Sequence, residues 1–381
     1  ILITLFNLVI TLPLSIFGSI ITAYERFVFH KIIQIARIIL NAAAMVAILE
    51  MGYAAIGMIV VVTIFNILTL AIHCWYCFKK IKIKLYFYNF QWSLLQGMAI
   101  YSFYIFLTII VDRLFWSTGQ FVLGVQVGAA SIAVFALAIQ LQAIYMSFSL
   151  AISSVFLPKM TSLVTGGASQ KTISDLFIRT GRLQFSVMSF ILCGFILFGK
   201  PFILLWAGED YGMVYVIALL FFIPLTVPLI QNLGVTILEA RNQMKFRAYL
   251  YLGIALFSLV LQVKMTHLYG VIGTAISICI ALVVSNVLVM NVYYLKKQNL
   301  DILRFWRNIF HMAVSPIIIT GSAYLFMQDY SIDNIEDLIV SIIMFSGAYF
   351  VAFWALSLNK NERDLLGRPT KRILSNWRSK F

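Results

Sequence analysis

Charge is scarce in this sequence. Asp, Glu, Lys and Arg make up 11% of its 381 residues, and 62% are hydrophobic, whereas soluble domains carry about 25% charged residues. A chain of this length has too few polar side chains to cover so apolar a core in water, so its natural solvent is lipid. Period-2 alternation is also missing. The apolar runs are continuous over about 20 residues, which excludes a β-barrel and predicts membrane-spanning helices. Catalytic equipment is sparse: the four histidines, His30, His73, His267 and His311, are scattered. No nucleophile stands beside a base, no His-rich metal spacing occurs, and no glycine-rich phosphate loop appears. These absences argue against an enzyme, a metal centre and a cofactor. The first apolar run, Ile1–Ile21, lacks the charged region and small-residue cleavage site of a signal peptide. Cysteine is limited to four, with Cys74 and Cys77 in a Cys-x-x-Cys pair after His73. That spacing suits redox or metal chemistry. Its place at the end of an apolar run, beside lysines, suits ordinary membrane-end cysteines.

What is present is a series of eleven apolar runs, at about 1–22, 32–50, 54–78, 93–116, 127–157, 183–207, 212–238, 246–264, 270–294, 307–327 and 335–358. The fold expected is all-α, a polytopic membrane helical bundle. The net charge of +14 would suit nucleic acid, but its distribution does not. When the loops are assigned alternately to two sides, 25 of the 28 Lys and Arg fall on one side, and only Arg113, Lys200 and Lys264 on the other. The basic side is cytoplasmic by the positive-inside rule, so the C-terminus is expected inside and Ile1 outside. In the longest cytoplasmic loop, 158–182, the amphipathic stretch Ile173–Leu183 is expected to lie along the interface. No loop is long enough for an extramembranous catalytic domain.

Two stretches resemble each other. Tyr53-Ala-Ala-Ile56-Gly57 precedes an apolar run and Lys79-Lys80; Tyr269-Gly-Val-Ile272-Gly273 precedes another run and Lys296-Lys297. Upstream, Glu25 with Arg26 matches Glu239 with Arg241. The two copies keep one orientation, as parallel repeats do. The second copy would hold six helices and the first only three. Three further helices, on the order of 120 residues at bilayer-spanning length, are therefore expected before Ile1.

The candidate functional residues are polar side chains inside these runs, since intramembrane polar groups mark pathways or bind helices together. In the fourth run Gly97, Tyr101, Tyr104, Thr108 and Asp112 recur on one helical face. Asp112 and Arg113 either line a cavity or sit hydrated at the outer interface. In the fifth run Gln142, Tyr145, Ser149 and Ser153 share a face, with Gln140 beside it; they either line a cavity or join helices. Arg37 either binds phosphate through its bidentate fork or anchors its helix at the basic side. Glu25 with Arg26 and Glu239 with Arg241 are candidate gate pairs at the cytoplasmic ends. Pro224 and Pro228, followed by Gln231 and Asn232, are a candidate hinge, or simply a static kink.

The runs Gln120-Phe-Val-Leu-Gly124, Gly128-Ala-Ala-Ser-Ile-Ala-Val-Phe-Ala136 and Ser149-Leu-Ala-Ile-Ser-Ser-Val-Phe-Leu-Pro158 resemble the seventh and eighth helices of the polysaccharide and O-antigen flippases. These belong to the multidrug/oligosaccharidyl-lipid/polysaccharide exporter superfamily. Tyr269-Gly-Val-Ile-Gly-Thr-Ala275 resembles the start of that family's twelfth helix. The resemblance covers nearly the whole chain and implies two pseudo-symmetric six-helix lobes. On that plan 1–89 is the second half of the N-terminal lobe, 90–298 the C-terminal lobe, 299–358 two additional helices and 359–381 a basic cytoplasmic tail. It implies alternating access, by which an undecaprenyl-pyrophosphate-linked oligosaccharide passes from the cytoplasmic to the outer leaflet of a bacterial plasma membrane. The partners implied are that lipid-linked substrate, the bilayer and polysaccharide polymerase or assembly proteins, and the expected state is a monomer. One departure stands out: where the family often carries an acidic residue before Gln120, this chain has Gly119, and the nearest carboxylate is Asp112. The alternatives are an ion-coupled multidrug antiporter of the same superfamily and, further off, a membrane polymerase or acyltransferase.

Overall fold

Hydrocarbon offers no partner for a backbone N–H or C=O, so a chain this apolar must satisfy them within its own helices. The computed structural model describes residues 2–24, 26–53, 55–83, 92–327 and 334–357, and every regular element among them is helical. The chain divides into two compact units between Gln96 and Gly97.

The first unit holds α1 (Leu2–Ala23), α2 (Phe27–Glu50) and α3 (Ala55–Tyr76), the last continuing as a π-helical turn, Cys77–Ile81. α3 packs against both α1 and α2. Asn66 of α3 donates to Asn7 Oδ1 and Thr11 Oγ1 of α1, both at 2.6 Å, an interhelical amide bond of the kind that substitutes for the hydrophobic effect in lipid. A small cluster of Phe17, Ile21 and Cys77 lies further along, toward the C-terminal ends of α1 and α3.

α4 (Trp92–Trp116) leads into the second unit, which continues with α5 (Thr118–Gln126), α6 (Ala129–Thr165), α7 (Gln170–Ala207), α8 (Met213–Ile230), α9 (Leu233–Ala240), α10 (Met244–Leu282), a π-helical segment Val283–Met290, α11 (Asn291–Lys296), α12 (Ile302–Met327) and α13 (Ile335–Leu356). α6, α7 and α8 pack on one another, α10 packs on α5 and α8, and α12 and α13 pack on α7. Among the described residues nine helical stretches are long and apolar enough to cross a membrane. One of these, Met244–Lys296, folds back on itself at Gly270 (φ 57°, ψ −135°), a left-handed backbone open to glycine. It therefore supplies two crossings. With α4–α5 as a further crossing, the protein is the polytopic α-helical bundle expected from the eleven apolar runs.

Three details differ from the sequence reading. The fourth crossing does not end at Trp116. Ser117 keeps helical dihedrals, so the axis runs on through α5, and Gln126 Nε2 bonds Val263 O beside the α10 hairpin. Asp112 lies 14 residues back from Gln126, about 21 Å along the axis at 1.5 Å per residue. Second, Ile173–Leu183 is no separate interfacial helix. It forms the first turns of α7, where Phe177 packs on Tyr294 and Phe305 and Gly181 lets α7 meet the carbonyl of Ile230. Packing partners on two faces outweigh its amphipathic pattern. Third, the seventh run is two helices, because α8 stops at Ile230 and α9 starts at Leu233.

The paired glycines of the two similar stretches occupy comparable corners. A Cβ on Gly57 would strike Ile48 and Tyr53, and one on Gly273 would strike the Met265 carbonyl and Tyr269. Each glycine thus lets a helix press against the corner that leads into it.

Candidate functional site

The most polar interior of the second unit lies where three backbone irregularities meet. The first is the break between α8 and α9. Pro228 lacks an N–H, and the helix ends at Gln231, so the last carbonyls of α8 lose their intrahelical donors. Ser149 Oγ of α6 donates to one of them, Leu229 O, at 2.7 Å. The second is the π-helical segment Val283–Met290, where Ser285 and Asn286 are buried; π-bulges often accompany functional sites. The third is the Gly270 hairpin, which lays α10 antiparallel to the chain that follows. Phe246 stacks on Tyr293 at 4.1 Å, and Tyr251 Oη bonds Asn286 Oδ1.

Between these elements lies a cavity of about 140 Å³, room for several waters. Its polar lining is Asp112 from α4, Gln231 and Asn232 from the break, Arg247 and Tyr251 from α10, Ser285 and Asn286 from the π-helix, and Tyr294 from α11. Val111, Phe115, Trp116, Leu229 and Met290 supply apolar wall. Arg247 lays its guanidinium over the Tyr251 ring, 4.7 Å from the centroid, a cation–π contact. Its Nε is buried with no hydrogen-bond partner. A cation with an unpaired donor inside a membrane span is costly and marks a site.

Of the residues singled out from sequence, Asp112 lines this cavity. Arg113 is exposed on α4. The side chains of Tyr101, Tyr104 and Thr108, like Glu25 and the basic tail, lie outside the described residues. Gln140 is exposed, while Gln142, Tyr145 and Ser149 are buried. Tyr145 stacks on Phe222 at 4.3 Å and bonds Thr226 Oγ1 at 2.7 Å. Ser149 joins a node with Gln184 of α7, whose Nε2 reaches Ser149 Oγ at 2.9 Å and Ser153 Oγ at 2.6 Å. Asn232 Nδ2 donates to the same Ser153 Oγ at 3.0 Å. This node binds α6, α7 and the α8–α9 break together behind the cavity. Ser153→Ala removes the acceptor of the half-buried Asn232 amide and one of the acceptors of Gln184 Nε2, which keeps Ser149 Oγ. It should cost about 1–2 kcal/mol, read as a lower unfolding temperature of the purified protein in detergent.

Arg241 is held by neutral amides. Its Nη1 donates to Gln298 Oε1 and Nη2 to Gln170 Oε1, both at 2.9 Å, while Glu239 is exposed. Burial among these groups lowers the Arg241 pKa from its usual range. In the first unit Arg37 is half-buried and Arg26 exposed. Pro224 and Pro228 stay within α8, and the chain breaks only after them.

Gly119 has a steric reason. A Cβ there would come within 2.8 Å of the Phe135 ring and 3.0 Å of Thr274, so a carboxylate has no room. Sequence reasoning missed Arg247, Tyr251, Asn286 and Tyr294. Arg247 and Tyr251 were detectable as a basic and an aromatic residue one helical turn apart at the start of an apolar run; the π-helix left no signal.

No protein-family profile matches this chain, and no curated protein matches it. Among solved structures it is similar to a lipid II flippase, MurJ, in its inward closed conformation, with a TM-score of 0.62 and 18% identity. The match covers 80% of this chain and 62% of the flippase chain, so this chain spans somewhat under two thirds of that neighbour's length. At this identity the likeness is one of fold: the chain shares the helical membrane architecture of a lipid II flippase.

Proposed function

We propose that this protein is a transporter, not an enzyme, and that it carries a lipid-linked oligosaccharide, its lipid an undecaprenyl diphosphate, across a bacterial inner membrane. The supporting observation is the fold likeness to a lipid II flippase over 80% of the chain. A sugar diphosphate is anionic and heavily hydrated, so a carrier must replace its water with donors and positive charge. The Arg247 cavity offers both within one wall of the bundle, and a lipid tail can stay in hydrocarbon throughout. The reading includes the two-lobe plan, with 1–89 and 90–298 as lobes, alternating access, a cytoplasmic C-terminus, a monomeric state and the break after Pro228 as a hinge. O-antigen or capsule assembly is the setting in which such a substrate is used.

A second reading, an ion-coupled multidrug antiporter, is favoured by one feature, the carboxylate of Asp112 on the cavity wall. The two separate in proteoliposomes loaded with an undecaprenyl-diphosphate-linked oligosaccharide. With the flippase, an added glycosidase cleaves sugar beyond the outward-facing half on a time scale set by protein density. If cleavage stops at half with active protein present, while a cationic dye is expelled on an imposed ion gradient, the antiporter reading replaces it.

A further inference from the structure

The cavity of the second unit has a hydrogen-bonding sense, because each amide on its wall is oriented by a partner that cannot trade roles. Trp306 Nε1 only donates, and it donates to Asn291 Oδ1 at 2.8 Å. Asn291 Nδ2 donates to the carbonyls of Asn286 and Val287, both at 3.0 Å. Asn291 Oδ1 is thus an acceptor, and Gln231 must present its Nε2 to it, at 2.8 Å. Ser153 Oγ spends its hydrogen on Ser149 O at 3.1 Å, so Asn232 must donate to that oxygen through Nδ2. Ser285 Oγ spends its hydrogen on Ala281 O at 2.7 Å and accepts from Asn286 Nδ2 at 2.9 Å. That leaves Asn286 Oδ1 to take the Tyr251 hydroxyl.

The amide donors of the wall are therefore consumed, and acceptors are left over. Among the described residues Gln231 Oε1, Asn232 Oδ1 and the carboxylate of Asp112 have no hydrogen-bond partner, and all three residues line the cavity. The donor left free is the Arg247 guanidinium, whose Nε is buried without a partner. The Tyr294 hydroxyl, also in the lining, can act either way.

The charges of the lining balance. Asp112 and Arg247 bring one of each sign, and Arg113 is not part of the wall. A diphosphate offers acceptors and negative charge, so it would answer Arg247 and meet Asp112 and two amide oxygens with the wrong sign. An organic cation would answer Asp112 and meet Arg247. Adjacent sugar hydroxyls answer both, since each donates its hydrogen to an acceptor and offers a lone pair to the guanidinium. The cavity, about 140 Å³, has the scale of one sugar ring rather than of a chain of them. Phe115 and Trp116 give the C–H face of such a ring an apolar wall.

We infer that this cavity is a subsite for one neutral sugar ring, which donates to Asp112, Gln231 and Asn232 and accepts from Arg247. Of the two polar parts of a sugar diphosphate, the sugar is the one that fits. The inference rests on the transport reading for placing that sugar on a lipid-linked substrate; the sense of the hydrogen bonds stands without it.

The experiment is saturation-transfer NMR of the full chain in lipid nanodiscs. The probes are the methyl glycosides of glucose, galactose and N-acetylglucosamine, with inorganic pyrophosphate and tetraphenylphosphonium as competitors. The expected result is saturable transfer to at least one glycoside that neither competitor displaces. Asp112→Asn should weaken it about tenfold, because a charge-assisted hydrogen bond becomes a neutral one. Asp112 holds no hydrogen bond among the described residues, so the variant should keep the parent's unfolding temperature. Asp210→Asn, on the short turn Glu209–Tyr211 before α8 and outside the lining, should bind as the parent does. No saturable transfer to any glycoside, or transfer that Asp112→Asn leaves unchanged, would overturn the inference. Displacement by pyrophosphate would make the cavity a phosphate site, and displacement by the phosphonium a cation site; either overturns it as well. Should Asp112→Asn fail to fold, the competition in the parent protein decides. If the glycosides fail while the parent still flips the lipid-linked oligosaccharide in proteoliposomes, the subsite falls and the transport reading stands. If they bind and flipping is absent, the transport reading falls and the sugar site remains.

Discussion

Arg247→Gln should lower transport of the lipid-linked substrate by about 100-fold while the protein stays folded. A charge-assisted hydrogen bond contributes roughly 1.5–3 kcal/mol, and each 1.4 kcal/mol is a factor of ten. The fold should tolerate the change because the guanidinium has a buried Nε without a partner and no ion pair at contact distance among the described residues. Removing a poorly paired charge from a low-dielectric site is often neutral or stabilising. Gln keeps part of the stem that covers Tyr251. The measurement is the initial flipping rate in proteoliposomes, beside the unfolding temperature of the same preparation. Equal rates for the variant and the parent would remove Arg247 from the site. A rate loss matched by a fallen unfolding temperature would assign it a structural role. Arg247→Lys should recover part of the rate, because Lys keeps the charge and loses the planar fork.

Gly273→Ala should be the most destabilising glycine-to-alanine change among the described residues. A Cβ at that position collides with the backbone carbonyl of Met265, and a backbone atom cannot rotate aside as a side chain can. The two arms of the hairpin are joined here by Thr266 and Thr274, whose hydroxyls lie 2.6 Å apart, so widening the corner breaks that bond as well. The cost should reach about 3 kcal/mol, at the upper end of overpacking and strain effects. It should appear as loss of the monodisperse peak in size-exclusion chromatography after mild heating. Gly253→Ala on the same helix meets nothing within 4 Å and should behave as the parent does. If both variants survive equally, the hairpin is not the tight corner described here.

The centre of the second unit shows where sequence reasoning lost its way. The loop alternation counted Arg247 among the basic flanks of an apolar run, and Asp112 was left either lining a cavity or hydrated at the outer interface. Both were ordinary inferences from distance to a run's end. The continuation of α4 into α5 leaves Asp112 about 21 Å from the helix end at Gln126, and Asp112 and Arg247 line one cavity. Ser149 and Ser153 were recognised as sharing a face with Gln142 and Tyr145, but the face turned out to be occupied by Gln184, Thr226 and Asn232. Periodicity says which residues look the same way along a helix; it does not say what they look at.

The sequence by itself determined the solvent, the helical class and the series of apolar crossings. Each of these follows from local quantities: the length of an apolar run against the thickness of a bilayer and the need to satisfy every backbone group in lipid. Only the tertiary structure decided that Asp112 and Arg247 line one cavity and that His30 and His73 meet over Gly18. Those depend on the rotation and axial shift of one helix against another. In hydrocarbon these are set by small-residue contacts and interhelical hydrogen bonds scattered along the chain, and hydropathy is blind to them because a helix turned about its own axis has the same hydropathy.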